Sequence, residues 1–151
     1  MVLMTSKERV LQRERDRGRT DALDLASRAG GMDGTALIAE QDHIPAWSEE
    51  AVYTLNHVGY PVQDGEQVYT ILQAHTPANN PGFRPADLPA IYSIKHTKDP
   101  AKAKPYMAPN GMSGVYEKGD CCIFNGVVYR SVFAGDNVWT PDAYPAGWEE
   151  V

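Results

Sequence analysis

The most regular pattern in the chain is an alternation of apolar and polar positions that begins near Pro45 and recurs toward the C terminus. Alternation with period two between turn residues predicts short β-strands. Asn125-Gly126 lies between two such runs and supplies the positive φ angles of a tight hairpin turn. Asp64-Gly65 lies between two earlier runs and predicts a second hairpin of the same shape. These runs together predict a mainly β body.

The first part of the chain lacks this alternation and predicts helices instead. Thr5 and Glu8 have the spacing of a capping box, and Gly30 opens a glycine pair that stops a helix. We therefore predict an N-terminal α-helical arm over residues 1–31, followed by a short helical lead-in over residues 32–45. Few apolar residues stabilise the arm, so it should fray alone, and we expect it to dock on another chain.

Two halves of the β body align with each other. The pattern Pro-x-x-x-Pro-Ala-x-aromatic occurs at residues 85–92 and again at residues 141–148. We interpret the halves as two repeated hairpin or three-stranded-sheet modules, residues 46–96 and 105–151, joined by a linker over residues 97–104. Modules of about 50 residues are marginal alone, so we expect them to pack together or the chain to oligomerise. Further equivalent pairs are Gly59 with Gly119, Val62 with Cys122, Val68 with Val128, and Tyr69 with Tyr129.

The residues shared by the two halves resemble the small chitin-binding carbohydrate-binding modules of families 5 and 12. Two such copies behind a helical lead also resemble carbohydrate-binding structural proteins of tailed phages and prophages of Firmicutes. The resemblance implies a small β module that binds sugars and catalyses nothing. It rests on Trp47, Tyr53, Gly59, Val68-Tyr69 and Pro89-Ala90 with Tyr92 in module one, and on Tyr116, Gly119-Asp120, Val128-Tyr129, Trp139 and Pro145-Ala146 with Trp148 in module two.

Candidate binding residues follow from the loops of these modules. A sugar ring packs its C–H face on a flat aromatic, while amides and carboxylates hydrogen-bond its hydroxyl rim. Trp139 is the candidate stacking residue of module two, although a core position for it stays open. In module one the equivalent loop offers His75 and Phe83. The other candidates in module two are Tyr144, which would widen the stacking surface, and Asp136, Asn137 and Asp142, which would bind the rim.

The charge balance narrows the class of partner. The 151 residues include 20 acidic and 14 basic side chains, which gives a formal net charge of −6. No basic stripe is present, so nucleic acid is not an expected partner. No apolar run approaches the length of a membrane span, and the N terminus lacks the apolar segment of a signal peptide. We therefore expect neither a membrane nor a secretion signal to be involved.

Catalytic chemistry is not expected from this sequence. The only cysteines, Cys121 and Cys122, are adjacent, and the four histidines lack ligand-like spacing, so neither a disulfide framework nor a metal site is predicted. The chain contains no phosphate-binding loop and no Ser-His-Asp signature. We predict no catalytic residue, no metal ion and no cofactor.

These features lead to one main hypothesis and two alternatives. The main one is a non-enzymatic carbohydrate-binding structural protein of a phage or prophage particle, made in the host cytoplasm and placed in the virion. Its expected partners are a polysaccharide or cell-surface glycan, other virion proteins, and further copies of the chain joined through residues 1–31, with trimers common among the phage fibres it resembles. The alternatives are a head or tail decoration or fibre protein that binds no sugar, and an accessory chitin-binding module of a secreted hydrolase.

Overall fold

One long helix and two β-sheets provide most of the regular structure. The computed structural model describes residues 5–151, apart from the side chains of residues 11, 14–16 and 18–20. The two sheets are compatible with the predicted mainly β class. The described residues include no helix that is both long and apolar enough to cross a bilayer.

Helix α1 spans Ser6–Arg28 and begins where the sequence places its cap. Thr5 Oγ1 accepts a hydrogen bond from Glu8 N at 3.1 Å, and Glu8 Oε2 accepts one from Thr5 N at 2.6 Å. This reciprocal pair confirms the predicted capping box. The helix ends before Gly30 in a 3-10 turn at Ala29–Gly31.

The lead-in contains the second predicted helix in a shorter form. Helix α2 spans Gly34–Ala39, and Asp33 Oδ1 caps it by accepting a hydrogen bond from Ala36 N at 2.8 Å. A 3-10 helix follows at Gln41–His43. Further 3-10 helices lie at Leu55–His57, Pro77–Asn79, Pro85–Asp87, Pro100–Lys102 and Pro145–Gly147.

The C-terminal turns of α1 belong to the folded body. Leu25 is fully buried and Ala29 is nearly so, and both pack against α2. Arg28 adds ion pairs with Asp24 at 3.0 Å and Glu40 at 2.9 Å. The boundary expected at residue 31 therefore cuts through an apolar cluster. Its members are Leu25, Ala29, Leu37, Ile38, Ile44 and Val68.

The first sheet is an antiparallel meander of three strands. Strands β1 (Pro61–Asp64), β2 (Gln67–Ile71) and β3 (Tyr92–Lys95) lie in the order β1-β2-β3. All five residues of β2 are buried, because the strand is central and is covered on both faces. Its apolar face packs with Val62 and Tyr92 of the neighbouring strands.

The second sheet also contains an antiparallel meander of three strands and has one additional short strand. Strands β5 (Cys121–Phe124), β6 (Val127–Ser131) and β7 (Trp148–Glu150) are antiparallel neighbours. Strand β4 (Lys104–Pro105) pairs in parallel with β5 at the other edge. The core of this sheet is built mainly from aromatic side chains and one thiol. Its buried members are Tyr116, Cys122 and Trp148.

The two hairpin turns differ in detail. Asn125 and Gly126 both have positive φ, 50° and 78°, which confirms the predicted turn of the second hairpin. In the first hairpin Asp64 still belongs to the strand, so the turn consists of Gly65, with φ of 61°, and the residue after it. The first turn therefore lies one residue later than the sequence signal indicated.

Corresponding backbone hydrogen bonds brace the two meanders. Gly59 N donates to Ile71 O at 2.7 Å in the first, and Gly119 N donates to Ser131 O at 2.8 Å in the second. Both glycines have positive φ, 88° and 97°, a conformation that favours glycine over other residues. The chain therefore enters each meander in the same way.

A second correspondence lies just after the central strands. Tyr53 and His75 exchange two backbone hydrogen bonds at 2.9 and 2.8 Å, and Tyr116 and Asn137 do the same at 3.1 and 2.9 Å. Each pair joins the segment before the meander to the loop that follows the central strand. Both loops are thus fastened at their first turn.

The segment predicted as a linker, residues 97–104, is built into the second sheet. Thr97 is only 1% exposed, and its carbonyl accepts a hydrogen bond from Cys121 N at 2.8 Å. The segment then forms a 3-10 turn and enters β4. The two halves are therefore joined by packed chain and not by a free tether.

The two sheets also contact each other directly. Gln67 Nε2 donates to Pro105 O at 2.9 Å, and the His96 ring stacks on Tyr116 with 3.7 Å between centroids. Such contacts bury surface that neither sheet covers by itself. Packing of the two units was one of the two arrangements expected for modules of this size.

Candidate ligand-binding surface

The loop between β6 and β7, residues 132–147, presents an aromatic side chain to solvent. Trp139 lies in this loop and is 43% exposed. Tryptophan is highly buried on average, so an exposed indole is a candidate contact for a ligand. Of the two placements that the sequence left open, a core position and a fully exposed stacking surface, the ring adopts neither, because it is half-exposed and has aromatic neighbours.

Three aromatic rings meet at this loop. Trp139 contacts Phe133 and Tyr144, with 5.7 and 5.1 Å between ring centroids, and Phe133 lies 5.9 Å from Tyr144. The interplanar angles are 84° for Phe133 with Trp139, 90° for Trp139 with Tyr144 and 66° for Phe133 with Tyr144. All three contacts are edge-to-face, a favoured aromatic geometry. We refer to Phe133, Trp139 and Tyr144 as the aromatic corner.

Asn137 holds the loop and does not face a ligand, so its predicted role at the sugar rim is wrong. Its side chain is fully buried. The amide Nδ2 donates to Ser131 Oγ at 3.1 Å and to Gly147 O at 3.0 Å, while Oδ1 accepts from Trp139 N at 3.3 Å. The amide is committed to these partners because a buried polar group must be satisfied inside the protein.

Two further contacts fix the backbone beneath the rings. Trp148 Nε1 donates to Trp139 O at 3.0 Å, which ties the loop to the buried indole of β7. Gly147 lies under the Tyr144 ring, where a Cβ would come within 3.0 Å of its Cδ2. The aromatic corner therefore stands on a loop whose main chain is held at several points.

The surroundings of the corner are polar and acidic. Asp136 and Asp142 are exposed on either side of Trp139, as their predicted rim positions require. Thr140 Oγ1 donates to Asp142 Oδ1. The loop contains no lysine or arginine, and Arg130 on the preceding strand is paired with Glu149 at 3.5 Å. Two exposed carboxylates and one hydroxyl are thus in the same loop as Trp139 and Tyr144.

His75, the other predicted polar contact, serves the interior of the first meander. Its Nδ1 lies 2.9 Å from Gln73 O, and its Nε2 is hydrogen-bonded to the Tyr92 hydroxyl. That hydroxyl also accepts a hydrogen bond from Trp47 Nε1 at 2.7 Å. Both ring nitrogens of His75 are therefore occupied, and the residue occupies the same bridging place as Asn137.

Phe83 is exposed but lies alone. Its side chain is 52% exposed, and no ring contact among the described residues involves it. The neighbouring Arg84 lies over the Trp47 ring at 4.6 Å and pairs with Asp64. The guanidinium covers the indole face that a sugar would need. The first meander thus offers one isolated exposed ring, whereas the second offers an exposed ring that packs against two partly buried ones.

The shared hydrogen bonds explain this difference between the loops. Leu72 N donates to Ile91 O at 2.7 Å, just as Val132 N donates to Gly147 O at 2.9 Å. Counting from these bonds, Gln73 takes the place of Phe133, and Leu88 takes the place of Tyr144. The two side rings of the corner therefore have no aromatic counterpart in the first meander.

The sequence reasoning missed Phe133 as a member of the candidate site. Phe133 lies two residues beyond the end of the central strand, and the apolar run of that strand gave the only sequence signal for it. Its contact with Trp139 depends on the return of the loop, which no local pattern encodes. By contrast, Trp139 and Tyr144 were found because they stand in a polar loop.

The two adjacent thiols are buried in the second sheet. Burial raises the pKa of Cys121, and it raises the pKa of Cys122 to about 12. A thiol with a raised pKa carries little of the nucleophilic thiolate at neutral pH. Within residues 5–151 no cluster of three His, Cys, Asp or Glu side chains is placed to hold a metal ion.

A polar cavity of about 210 Å³ lies apart from the corner, between the start of α2, the end of β3 and the segment that precedes β5. Lys98 reaches Asp120 at 3.2 Å and Glu117 at 3.7 Å across it. These opposite charges compensate one another, so the cavity is better explained as part of the contact between the two halves. Its other lining residues include Asp33, Lys95 and His96.

Comparisons with known proteins add no relative. A scan against protein-family models and a search of curated proteins find no match for this chain. Function is therefore inferred from the aromatic corner, its polar surroundings and the motif resemblance described above.

Proposed function

We propose that this protein is a non-enzymatic carbohydrate-binding protein whose binding surface is the aromatic corner. The observation that carries the proposal is the exposed Trp139 on a loop that is fastened from below. An aromatic face packs well on the C–H face of a pyranose ring. Fixing the loop in advance lowers the conformational entropy that is lost when a ligand binds.

The charge around the corner selects among glycans. Asp136 and Asp142 are exposed in the same loop as Trp139, and that loop has no lysine or arginine to pair with an acidic sugar. Carboxylates accept hydrogen bonds from sugar hydroxyls and attract amino groups, but they repel carboxylates, sulfates and phosphates. We therefore propose a neutral or amino-sugar glycan as the ligand and not a polyanionic one.

The proposal treats the two meanders as copies of one module with divided roles. The matched entry glycines, bridges and loop hydrogen bonds support a common origin. The second copy carries the binding surface. The first copy has Gln73 and Leu88 in place of the two side rings, which supports a role in packing.

The place of the protein in a phage or prophage particle is proposed from the resemblance. In this role α1 joins copies of the chain or docks on other virion proteins, because most of its length extends beyond the buried contacts at Leu25 and Ala29. Binding of one sugar is weak, and several linked sites can raise avidity by about 10²–10⁴-fold. An oligomer would thus attach a particle to a glycan-covered surface.

One observation favours a second candidate function, a particle protein that binds no sugar. The rings of the corner already contact one another, and more than half of Trp139 is covered. In this alternative the corner packs against a neighbouring subunit. The two functions differ in whether the isolated protein retains any glycan.

A glycan array tests the proposal with matched variants. We expect wild type to bind neutral or amino-sugar glycans and Trp139→Ala to lose that binding while its circular dichroism spectrum shows that the fold is retained. Val138→Ala removes an equally exposed side chain, 44% against 43%, from the same loop and should bind like wild type. Phe83→Ala should do the same, because its ring is outside the corner.

Three results would contradict the proposal. The absence of wild-type binding across the array would favour the purely structural alternative. Retained binding by Trp139→Ala would remove the corner from the site. Loss of binding by Phe83→Ala would place the site on the first meander.

A further inference from the structure

The orientation of the three rings limits the shape of ligand that they can hold. Trp139 is nearly perpendicular to both neighbours, at 84° to Phe133 and 90° to Tyr144. Phe133 and Tyr144 are inclined to each other by 66°. No two of the rings therefore present faces in one plane.

Coplanar faces are what the surface of an extended polysaccharide requires. Neighbouring chains in an ordered fibre present their sugar rings in one plane, so several aromatic faces must lie flat against them. A corner of inclined rings can align only one face with such a plane, and the remaining rings then project toward or away from the polymer. Consecutive units of a straight, soluble chain would likewise meet only one aromatic face of the corner.

A corner suits a single sugar unit instead. One ring takes the C–H face of the sugar, and an inclined ring borders its edge. Asp136 and Asp142 then remain available for the hydroxyl rim, since both are exposed in the same loop. Contacts on more than one side are possible only for a unit that is not flanked by the polymer there.

We infer that the aromatic corner binds one terminal or branching sugar unit of a soluble or surface-displayed glycan, and not the face of an ordered polysaccharide. This inference rests on the proposed function and adds the class of ligand. The corner cannot be extended locally, because Phe83, the other exposed ring, makes no contact with it among the described residues.

The inference has a direct signature in the dependence of affinity on chain length. If one unit is held, added units change affinity only slightly, by less than about threefold. If a second unit also stacked on a ring, affinity would rise by about tenfold, since a contribution of about 1.4 kcal/mol is one factor of ten.

The experiment is a titration of the full-length chain, in its native oligomeric state, with two soluble series. The probes are N-acetylglucosamine and glucose β-1,4-oligosaccharides, each from the disaccharide to the hexasaccharide, followed by calorimetry. Crystalline chitin and crystalline cellulose are offered in parallel pull-downs, with Trp139→Ala as the control for binding through the corner.

The expected result is binding of at least one soluble series with nearly constant affinity along it, and little uptake by the matching crystalline polymer. Affinity that climbs with every added unit, or strong crystalline uptake that Trp139→Ala abolishes, would overturn the inference while leaving the proposed function intact. If no soluble or crystalline probe binds while the array is also silent, the proposed function fails as well. If glycans on the array bind while none of these probes does, the array hits are compared for the sugar unit that they share. A shared internal unit would overturn the inference, and a shared terminal unit would support it.

Discussion

At the scale of single residues, a buried polar side chain fixes the backbone that carries the exposed aromatic residue. Asn137 was expected at the ligand because its residue type suits a sugar rim and its neighbours are polar. It is instead fully buried, and its side-chain oxygen accepts a hydrogen bond from the backbone N–H of Trp139. An amide has the same appearance in a sequence whether it faces water or the interior, so its neighbours in the fold determine which role it plays.

The first prediction concerns this buried amide. Asn137→Ala removes one hydrogen-bond partner each from Ser131 Oγ, Gly147 O and Trp139 N, and only Gly147 O keeps another, from Val132 N. Leaving buried polar groups unpaired costs about 1–3 kcal/mol, so the free energy of unfolding in urea should fall by that amount. Asp136→Ala, at the exposed neighbouring position, should stay within about 0.5 kcal/mol of wild type. Equal effects of the two substitutions would refute the role of Asn137.

The second prediction concerns the buried His96. Burial lowers the pKa of this imidazole, against the opposing effect of its 2.8 Å hydrogen bond to Gly114 O. The unfolded chain therefore binds the proton more readily, so this contribution to stability is complete above the unfolded pKa of about 6.5 and is lost as the pH falls below it.

Urea unfolding between neutral and mildly acidic pH measures the effect. Wild type should lose stability more steeply on acidification than His96→Gln, whose side chain can still donate to Gly114 O but does not titrate. Identical slopes for wild type and His96→Gln would contradict the prediction.

At the scale of elements, local signals were sufficient where the chain itself supplies the constraint. The capping box of α1 and the Asn125-Gly126 turn depend on neighbouring residues alone, and both form as predicted. The joining segment, residues 97–104, looked like a linker because it contains lysines and a proline. It is attached to the second sheet by the hydrogen bond from Cys121 N to Thr97 O and by strand β4, and these contacts join residues far apart in the sequence that no local pattern reveals.

The third prediction tests the closest approach between two elements, α2 and the end of β3. A Cβ on Gly34 would lie 2.1 Å from His96 O, so Gly34→Ala must push the helix and the strand apart. We expect a loss of at least about 1–3 kcal/mol, as in other overpacked sites. Gly30→Ala is the control, because nothing lies within 4 Å of its Cβ position. A neutral Gly34→Ala would show that the approach is looser than described.

At the scale of the whole molecule, the helical arm and the body cannot be separated at the boundary that the sequence suggested. Leu25 and Ala29 complete the cluster that also contains Val68 of the first sheet. The glycine pair after the helix marked a local stop, but the packing unit starts within α1. The architecture of two sheets was thus predictable from the sequence, whereas the contacts that unite helix and sheets were not.

The fourth prediction tests α1 as the element that joins copies of the chain. Deletion of residues 1–20 removes the part of the helix that precedes the buried Leu25 and Ala29 and leaves both in place, so the body should keep its unfolding midpoint. Light scattering should then report a lower oligomeric mass than for the full chain. Deletion through residue 31 should also destabilise the body, since loss of a buried leucine alone costs about 2–5 kcal/mol. An unchanged mass for the shorter deletion would exclude α1 from assembly.

The most direct test of the central claim is two-dimensional NMR of the three tryptophan indole N–H groups during titration with the strongest ligand of the array. We predict a saturable shift of the Trp139 signal, a smaller one for Trp148, whose N–H donates to the Trp139 carbonyl, and none for Trp47 beneath Arg84. A titration that moves Trp47 and leaves Trp139 unchanged, or that moves none of the three signals, would contradict the aromatic corner as the sugar-binding surface.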